Sequence, residues 1–192
     1  MVWNGQPINH QWSKSAEAEV LLANAIAERI GIDFVVASYL RNRSEIWVAQ
    51  EMAKETAYLP VFRSCNRAFA QEEARRASNW CGECDKCLFI NLVLAPFIPR
   101  SELSSIFKTE PLANPSLQNQ LETLVGLGSE HKPFECVGDP DESAAALLKV
   151  AADPAWSDEP HLREVAGRLS VANTFDSLLG LEGESHVPTH WL

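Results

Sequence analysis

The chain has 192 residues, a formal net charge of −10 at pH 7, 46% hydrophobic residues and 22% charged ones. That composition belongs to a globular protein long enough to bury a core. The acidic balance excludes a general nucleic-acid or acidic-membrane binder, because neutralising phosphates needs a basic face. The first apolar run follows Asn9, His10 and Lys14, so no secretory signal is visible. The longest apolar stretch, residues 88–98, contains Asn91 and Pro96 and is too short to span a bilayer. These features read as cytoplasmic, where cysteines serve as ligands or nucleophiles more often than as disulfide partners.

Taken in chain order, Ser15 is placed as the N-cap of a helix running to about Arg29, with Gly31 just beyond it. Val20, Leu21, Ala23, Ala27 and Ile30 give that helix an apolar side. Phe34 to Val36 reads as a short buried strand, parallel to its neighbour because another helix follows. That next helix runs from about Ser44 to Glu55, packing through Ile46, Trp47 and Met52. A second strand, Tyr58 to Arg63, leads into Cys65. Residues 1–64 therefore read as a partial α/β domain, the second half of an open parallel sheet.

Residues 65–152 read as a cysteine loop followed by a helical region. Leu88 to Phe97 is apolar nearly all round, as in a buried helix. Further helices are expected over Arg100 to Phe107 and Pro115 to Leu124. Asp139, with Pro140 at the first helical position and Glu142 three residues on, opens one to about Ala151. Residues 153–192, rich in Pro, Asp, Glu, Ser and Gly, read as a peripheral tail with one or two weak helices.

Of five cysteines, four form a set: Cys65, and then Cys81, Cys84 and Cys87 within seven positions. Two-residue gaps let thiolates from one turn converge on one tetrahedral ion, and Gly82 lets the backbone curl toward it. Lys86 and the helix that follows would offset the charge of four thiolates. A thioredoxin-type redox motif has two cysteines, not four; an iron–sulfur cluster is the other alternative. The preferred reading is structural zinc, an anchor with no open coordination position.

Other candidates carry weaker signals. Asn9, His10, Ser13, Lys14 and Ser15 lie in a loop opening a helix, where backbone N–H groups favour a phosphate or carboxylate. An unperturbed imidazole has its pKa near neutrality, so His10 is a candidate for proton transfer. Arg63 and Arg67 flank Cys65 and are candidates to contact an anion. Cys136 is the unpaired thiol, with Glu135 beside it and His131 and Lys132 just before; a thiolate working with a second acid can move a proton. Each has a plain structural alternative: a capped helix, a solvated arginine, a small buried thiol. His186 and His190 read as an ordinary surface pair.

The run Arg63-Ser64-Cys65 and the later Trp80-Cys81-Gly82-Glu83-Cys84-Asp85-Lys86-Cys87 resemble the zinc loop of the ATP-pyrophosphatase (PP-loop) superfamily, whose sheet is adenine nucleotide α-hydrolase-like. The 7-cyano-7-deazaguanine synthases have a similar loop. Residues 5–15 (Gly-Gln-Pro-Ile-Asn-His-Gln-Trp-Ser-Lys-Ser), the run Cys87-Leu88-Phe89 to Leu94-Ala95-Pro96-Phe97, and residues 131–138 (His-Lys-Pro-Phe-Glu-Cys-Val-Gly) resemble the MurL family. The resemblance spans about residues 5–150. It implies an ATP-dependent UDP-N-acetyl-α-D-muramoyl-L-alanyl-L-glutamate epimerase of peptidoglycan precursor synthesis. Its reaction turns the terminal L-Glu into D-Glu and releases AMP and pyrophosphate. Implied cofactors are structural zinc and ATP with magnesium; the implied substrate is the UDP-muramoyl dipeptide.

There is one departure. The superfamily's Ser-Gly-Gly-x-Asp-Ser phosphate loop appears nowhere in these residues. The expectation is therefore a C-terminal portion of the enzyme, partnered by the missing N-terminal half or by a second copy. Two alternatives remain. One is another zinc-containing ATP-pyrophosphatase, of the 7-cyano-7-deazaguanine synthase kind. The other is a non-catalytic zinc-stapled binding module, in which Trp3, Trp12 and nearby apolar residues form an exposed patch.

Overall fold

A computed structural model describes residues 2–4, 6–7, 12–32, 34–77, 79–128, 137–170, 173–181, 183 and 185–191. The chain divides into two compact units, Met1–Arg43 with Leu181–Leu192, and Ser44–Gly180.

In the first unit, two-residue strands β1 (Val2–Trp3) and β2 (Gln6–Pro7) pair antiparallel, with Val2 opposite Pro7 and Trp3 opposite Gln6. A 3-10 turn over Trp12–Lys14 leads into α1, Ala16–Ile30. Ser15 caps α1 by accepting the Ala18 N–H at 3.1 Å. Gly31 ends it at φ 69°, donating its N–H to the Ala27 carbonyl. Glu19, buried in the first turn, accepts the Ser38 N–H at 2.9 Å and pairs with Arg41. His186 Nδ1 stands 3.5 Å from the other carboxylate oxygen, bringing the segment after Leu181 back to α1. The surface reading of His186 thus gives way to a partly covered imidazole beside a buried carboxylate.

The second unit is helical. It contains α2 (Glu45–Lys54), α3 (Asp85–Leu94), α4 (Arg100–Phe107), α5 (Gln118–Leu124), α6 (Pro140–Ala152) and α7 (Pro160–Ala166), joined by short 3-10 turns. Helix α3 is the centre: Cys87, Leu88, Phe89, Leu92, Val93 and Leu94 are all buried. It packs against α2, α4, α5 and α6. Apolar residues all round α3 have this explanation, since every side meets another helix. Ser44 joins sequence-distant parts: its Oγ accepts the Trp47 N–H at 2.9 Å and donates to the Leu178 carbonyl at 2.6 Å.

The expected open parallel sheet is not there. Among the described residues the only strands are β1 and β2, which are antiparallel. Phe34–Val36 has no ladder partner among the described residues, and Phe34 and Val35 are exposed rather than buried. Tyr58–Arg63 is a run of turns closed by Tyr58 N–H to Glu55 O and Phe62 N–H to Tyr58 O. Pro60 has no N–H to give a ladder, and Leu59 is the one residue of the run that is buried. Apolar, β-branched composition makes a strand only where a neighbouring strand completes its hydrogen bonds.

The residues after Asp153 also differ from the reading as a peripheral tail. Trp156, Leu162, Val165, Ala166 and Leu178 are buried in the core of the second unit, and α7 packs on α6. Arg100 holds this region in place. Its guanidinium lies 4.6 Å from the Trp156 ring and pairs with Glu110 (3.2 Å), Asp158 (2.6 Å) and Glu159 (2.7 Å).

Candidate functional site

Cys65 ends an extended stretch after the turns that follow α2, and the chain then loops through two 3-10 turns, Asn66–Phe69 and Glu73–Arg75. The Ala77 N–H donates to the Arg67 carbonyl at 2.9 Å, which folds the loop back on itself. Trp80 anchors the return. Its buried ring lies 4.6 Å from Phe107 and 5.1 Å from Phe62, tying the loop to the end of α4. Gly82, at φ 74°, then turns the chain so that Cys84 caps α3 and Cys87 sits in its first turn. Thr109 packs against Gly82 so closely that a Cβ there would lie 2.9 Å from the Thr109 Cβ.

The four sulfurs of Cys65, Cys81, Cys84 and Cys87 lie within 4.8 Å of one another. Cys81 Sγ and Cys87 Sγ are 3.6 Å apart. Backbone N–H groups aim at the sulfurs: Cys81 N–H at Cys65 Sγ (3.4 Å), Glu83 and Cys84 N–H at Cys81, Cys87 N–H at Cys84, and Gly82 N–H at Cys87. Donors pointed at sulfur stabilise thiolate, the form that binds metal. As free thiols, Cys81, Cys84 and Cys87 share their protons unequally. The Cys87 thiol donates to Cys84 and holds it down to about 5, while Cys87 itself is pushed far up and burial raises Cys81. Spacing, N–H donors and the N-terminus of α3 suit one cation held by four thiolates, with no position left for substrate.

Arg67 lies beside this cluster and pairs with Glu83 at 2.8 Å; Glu83 and the nearby Cys81 raise the affinity of its guanidinium for its proton. Arg63 is turned onto its own loop, donating to Phe62 O at 2.6 Å and Pro60 O at 3.1 Å. Ser13 and Lys14 are exposed in the turn before α1, and Ser15 is spent on capping that helix. They belong to the first unit, whereas the cysteines, Arg63 and Arg67 belong to the second. Asn9, His10, His131, Lys132, Glu135 and Cys136 lie outside the described residues. The grouping of Glu19, Arg41 and His186 was not legible, because the partners are far apart in sequence and Glu19 reads as one of two acids in a helix's first turn.

These features define a helical domain organised around a cluster of four cysteines that could hold a metal ion, preceded by a smaller unit built on one capped helix. The MurL C-terminal domain model matches residues 61–181 and the MurL N-terminal domain model matches residues 1–39, so the chain belongs to the MurL family. A relative from a Micromonospora species, named UDP-N-acetyl-alpha-D-muramoyl-L-alanyl-L-glutamate epimerase, is 40% identical over 98% of this chain and 42% of its own length. A relative of the same name from Salinispora tropica is 41% identical over 83% of this chain and 34% of its own length. Another from Xanthomonas oryzae pv. oryzae is 34% identical over 94% and 41%. The chain thus spans less than half the length of the curated relatives it matches. No solved structure matches it. Among the described residues no helix is long and apolar enough to cross a membrane.

Proposed function

We propose that this chain supplies the metal-stapled C-terminal domain, with an adjoining piece of the N-terminal domain, of an enzyme that epimerises the terminal L-Glu of UDP-MurNAc-L-Ala-L-Glu. The observation that carries this reading is the 40% identity, over 98% of the chain, to a relative bearing that epimerase name. The product, a D-glutamyl dipeptide on a UDP-muramoyl carrier, is a peptidoglycan precursor, and we place the reaction in the cytoplasm.

The metal is zinc. A tetrahedral zinc–thiolate site has bonds of about 2.3 Å and so needs sulfurs about 3.8 Å apart, a spacing the four cysteines can meet within their 4.8 Å spread. Zinc here supplies no reactive position. It ties the loop after Cys65 to the start of α3.

An α-proton beside an ionised carboxylate is poorly acidic, so inversion calls for activation of that carboxylate. ATP with magnesium, yielding AMP and pyrophosphate, is the activation we propose for the whole enzyme, in keeping with the PP-loop resemblance. The Ser-Gly-Gly-x-Asp-Ser loop that would grip the ATP phosphates is not among these 192 residues. The residues present do not make that pocket. For this chain the candidates for proton transfer at the α-carbon are His10 in the first unit, and Cys136 and Glu135 in the second. The candidates for contact with anionic groups of substrate or nucleotide are Asn9, Ser13, Lys14 and Ser15 in the first unit and Arg63, Arg67, His131 and Lys132 in the second; Ser15 and Arg63 would have to give up the hydrogen bonds they make here.

The test is the configuration of glutamate. The dipeptide substrate is incubated with ATP and magnesium in heavy water, using this chain fused behind the N-terminal remainder of the Micromonospora relative. D-Glutamate carrying one deuterium at the α-carbon is expected after hydrolysis. Unchanged L-glutamate, or an amide or nitrile product, contradicts the reading.

A further inference from the structure

The first unit has almost no core of its own. Its buried residues, among those described, are Ala18, Glu19 and Val187. Against them stand large apolar side chains that are 43% exposed or more, including Val20, Leu21, Leu22, Ile30, Phe34 and Val35. Apolar surface on that scale within some forty residues marks a face awaiting a partner.

Helical geometry says what kind of partner. Successive residues of α1 turn by about 100°, so residues nine apart point in opposite directions. Leu21 and Ile30 are nine apart, and they are 50% and 52% exposed. Val20 and Leu22 are likewise separated by more than half a turn and are both exposed. The helix is thus apolar on two opposed sides, with Glu17, Asn24 and Glu28 on the polar strip between Val20 and Leu21. A two-fold dimer of this chain would use one patch against its own copy and leave the opposite side of α1 in water. A domain built around α1 would cover both sides at once. The family's N-terminal domain model matches here over residues 1–39 only, and the Micromonospora relative extends well beyond the 42% of its length that aligns.

We propose that α1 and residues 34–40 form the docking face for the remainder of the MurL-family N-terminal domain, with Leu21 and Ile30 seated on opposite walls of the cleft that receives α1. This inference rests on the family reading but not on the epimerase reaction. The other candidate occupant, a second copy of this chain, is an outcome of the test.

The experiment is co-expression of the tagged 192-residue chain with the N-terminal remainder of the Micromonospora relative, followed by size-exclusion chromatography with light scattering. A one-to-one complex is expected. Leu21→Asp and Ile30→Asp should each weaken it at least tenfold while leaving the melting of the second unit and the metal content unchanged. Soluble remainder that stays unbound, or a dimer of the chain that persists beside it, overturns the proposal. If the remainder does not stay in solution, the fused protein gives the answer by hydrogen exchange. Amides of residues 20–30 slowed at least tenfold relative to the chain alone support docking; unchanged exchange overturns it. A complex that forms yet leaves L-glutamate unchanged would sink the reaction and leave the docking face standing.

Discussion

The backbone N–H of Cys81 points at the sulfur of Cys65 across 3.4 Å, joining two residues sixteen positions apart. That contact closes the loop from Cys65 to Cys81 and helps bring the four sulfurs within 4.8 Å of one another. Cys65→Ser replaces the one ligand that does not come from the Cys81–Cys87 turn. It should abolish tight metal binding and lower unfolding stability by about 3 kcal/mol or more. Chemical denaturation of the metal-loaded protein beside the variant checks this, and equal midpoints would contradict it.

Gly82→Ala is expected to damage the same site by a different route. An L-residue at φ 74° is strained, and the new Cβ would lie 2.9 Å from the Thr109 Cβ and closer still to its Oγ1. The combined cost is about 2–4 kcal/mol. Thr109→Gly in the same chain should recover only the overlap part. Thermal melts of the single and double variants separate the two.

Arg100 has a structural assignment. Arg100→Met keeps much of the stem over Trp156 but leaves Glu110 and Glu159 without their shared cation. A loss of about 2–3 kcal/mol is expected, with no change in metal content. Metal loss in this variant would mean that the network reaches the cysteine loop.

Acid should destabilise the fold in a defined direction. Arg100 and Ser104 hold Glu110 below the usual carboxylate value, and Arg168 with Gln118 does the same for Glu122. Burial alone would raise Glu19, but Arg41, the Ser38 N–H and His186 outweigh it and lower it. A carboxylate with a lower pKa folded than unfolded contributes stability above its unfolded value and loses it as pH falls through its folded value. The melting temperature should therefore hold from neutrality to about pH 5 and fall below that; protonation of the metal thiolates acts in the same sense. A melt that rises on acidification would contradict these assignments, and Glu110→Gln should flatten part of the fall.

Helix ends were the most legible part of the fold, because their signals are local. Ser15, Ser44 and Asp139 cap the helices they precede, and Pro140 occupies the first helical position. Glu142 shows where local reading stops. Its spacing from Asp139 suggests a capping box, yet its carboxylate accepts the Ile46 N–H at 3.2 Å, at the start of α2. The helix read as starting at Leu88 begins at Asp85, with Cys84 at the N-cap position and Cys87 inside the first turn. Strands were misread at Phe34 and Tyr58 because a strand depends on partners that a short apolar run does not reveal. The buried end of the second unit hid behind Pro, Asp and Ser: Trp156, Leu162 and Leu178 are isolated in sequence and meet only in space. Arg100 shares that difficulty, its acidic partners lying 10, 58 and 59 residues away. The cysteine cluster was legible because three of its four ligands fall in one turn.

Metal content tests the central claim most directly. Native mass spectrometry of the 21.3 kDa chain, purified without added metal, should show one zinc ion bound. Cys65, Cys81, Cys84 and Cys87 should resist alkylation until a chelator removes the ion. Absence of metal with all four thiols freely alkylated, or a mass and absorption spectrum of an iron–sulfur cluster, would contradict the account.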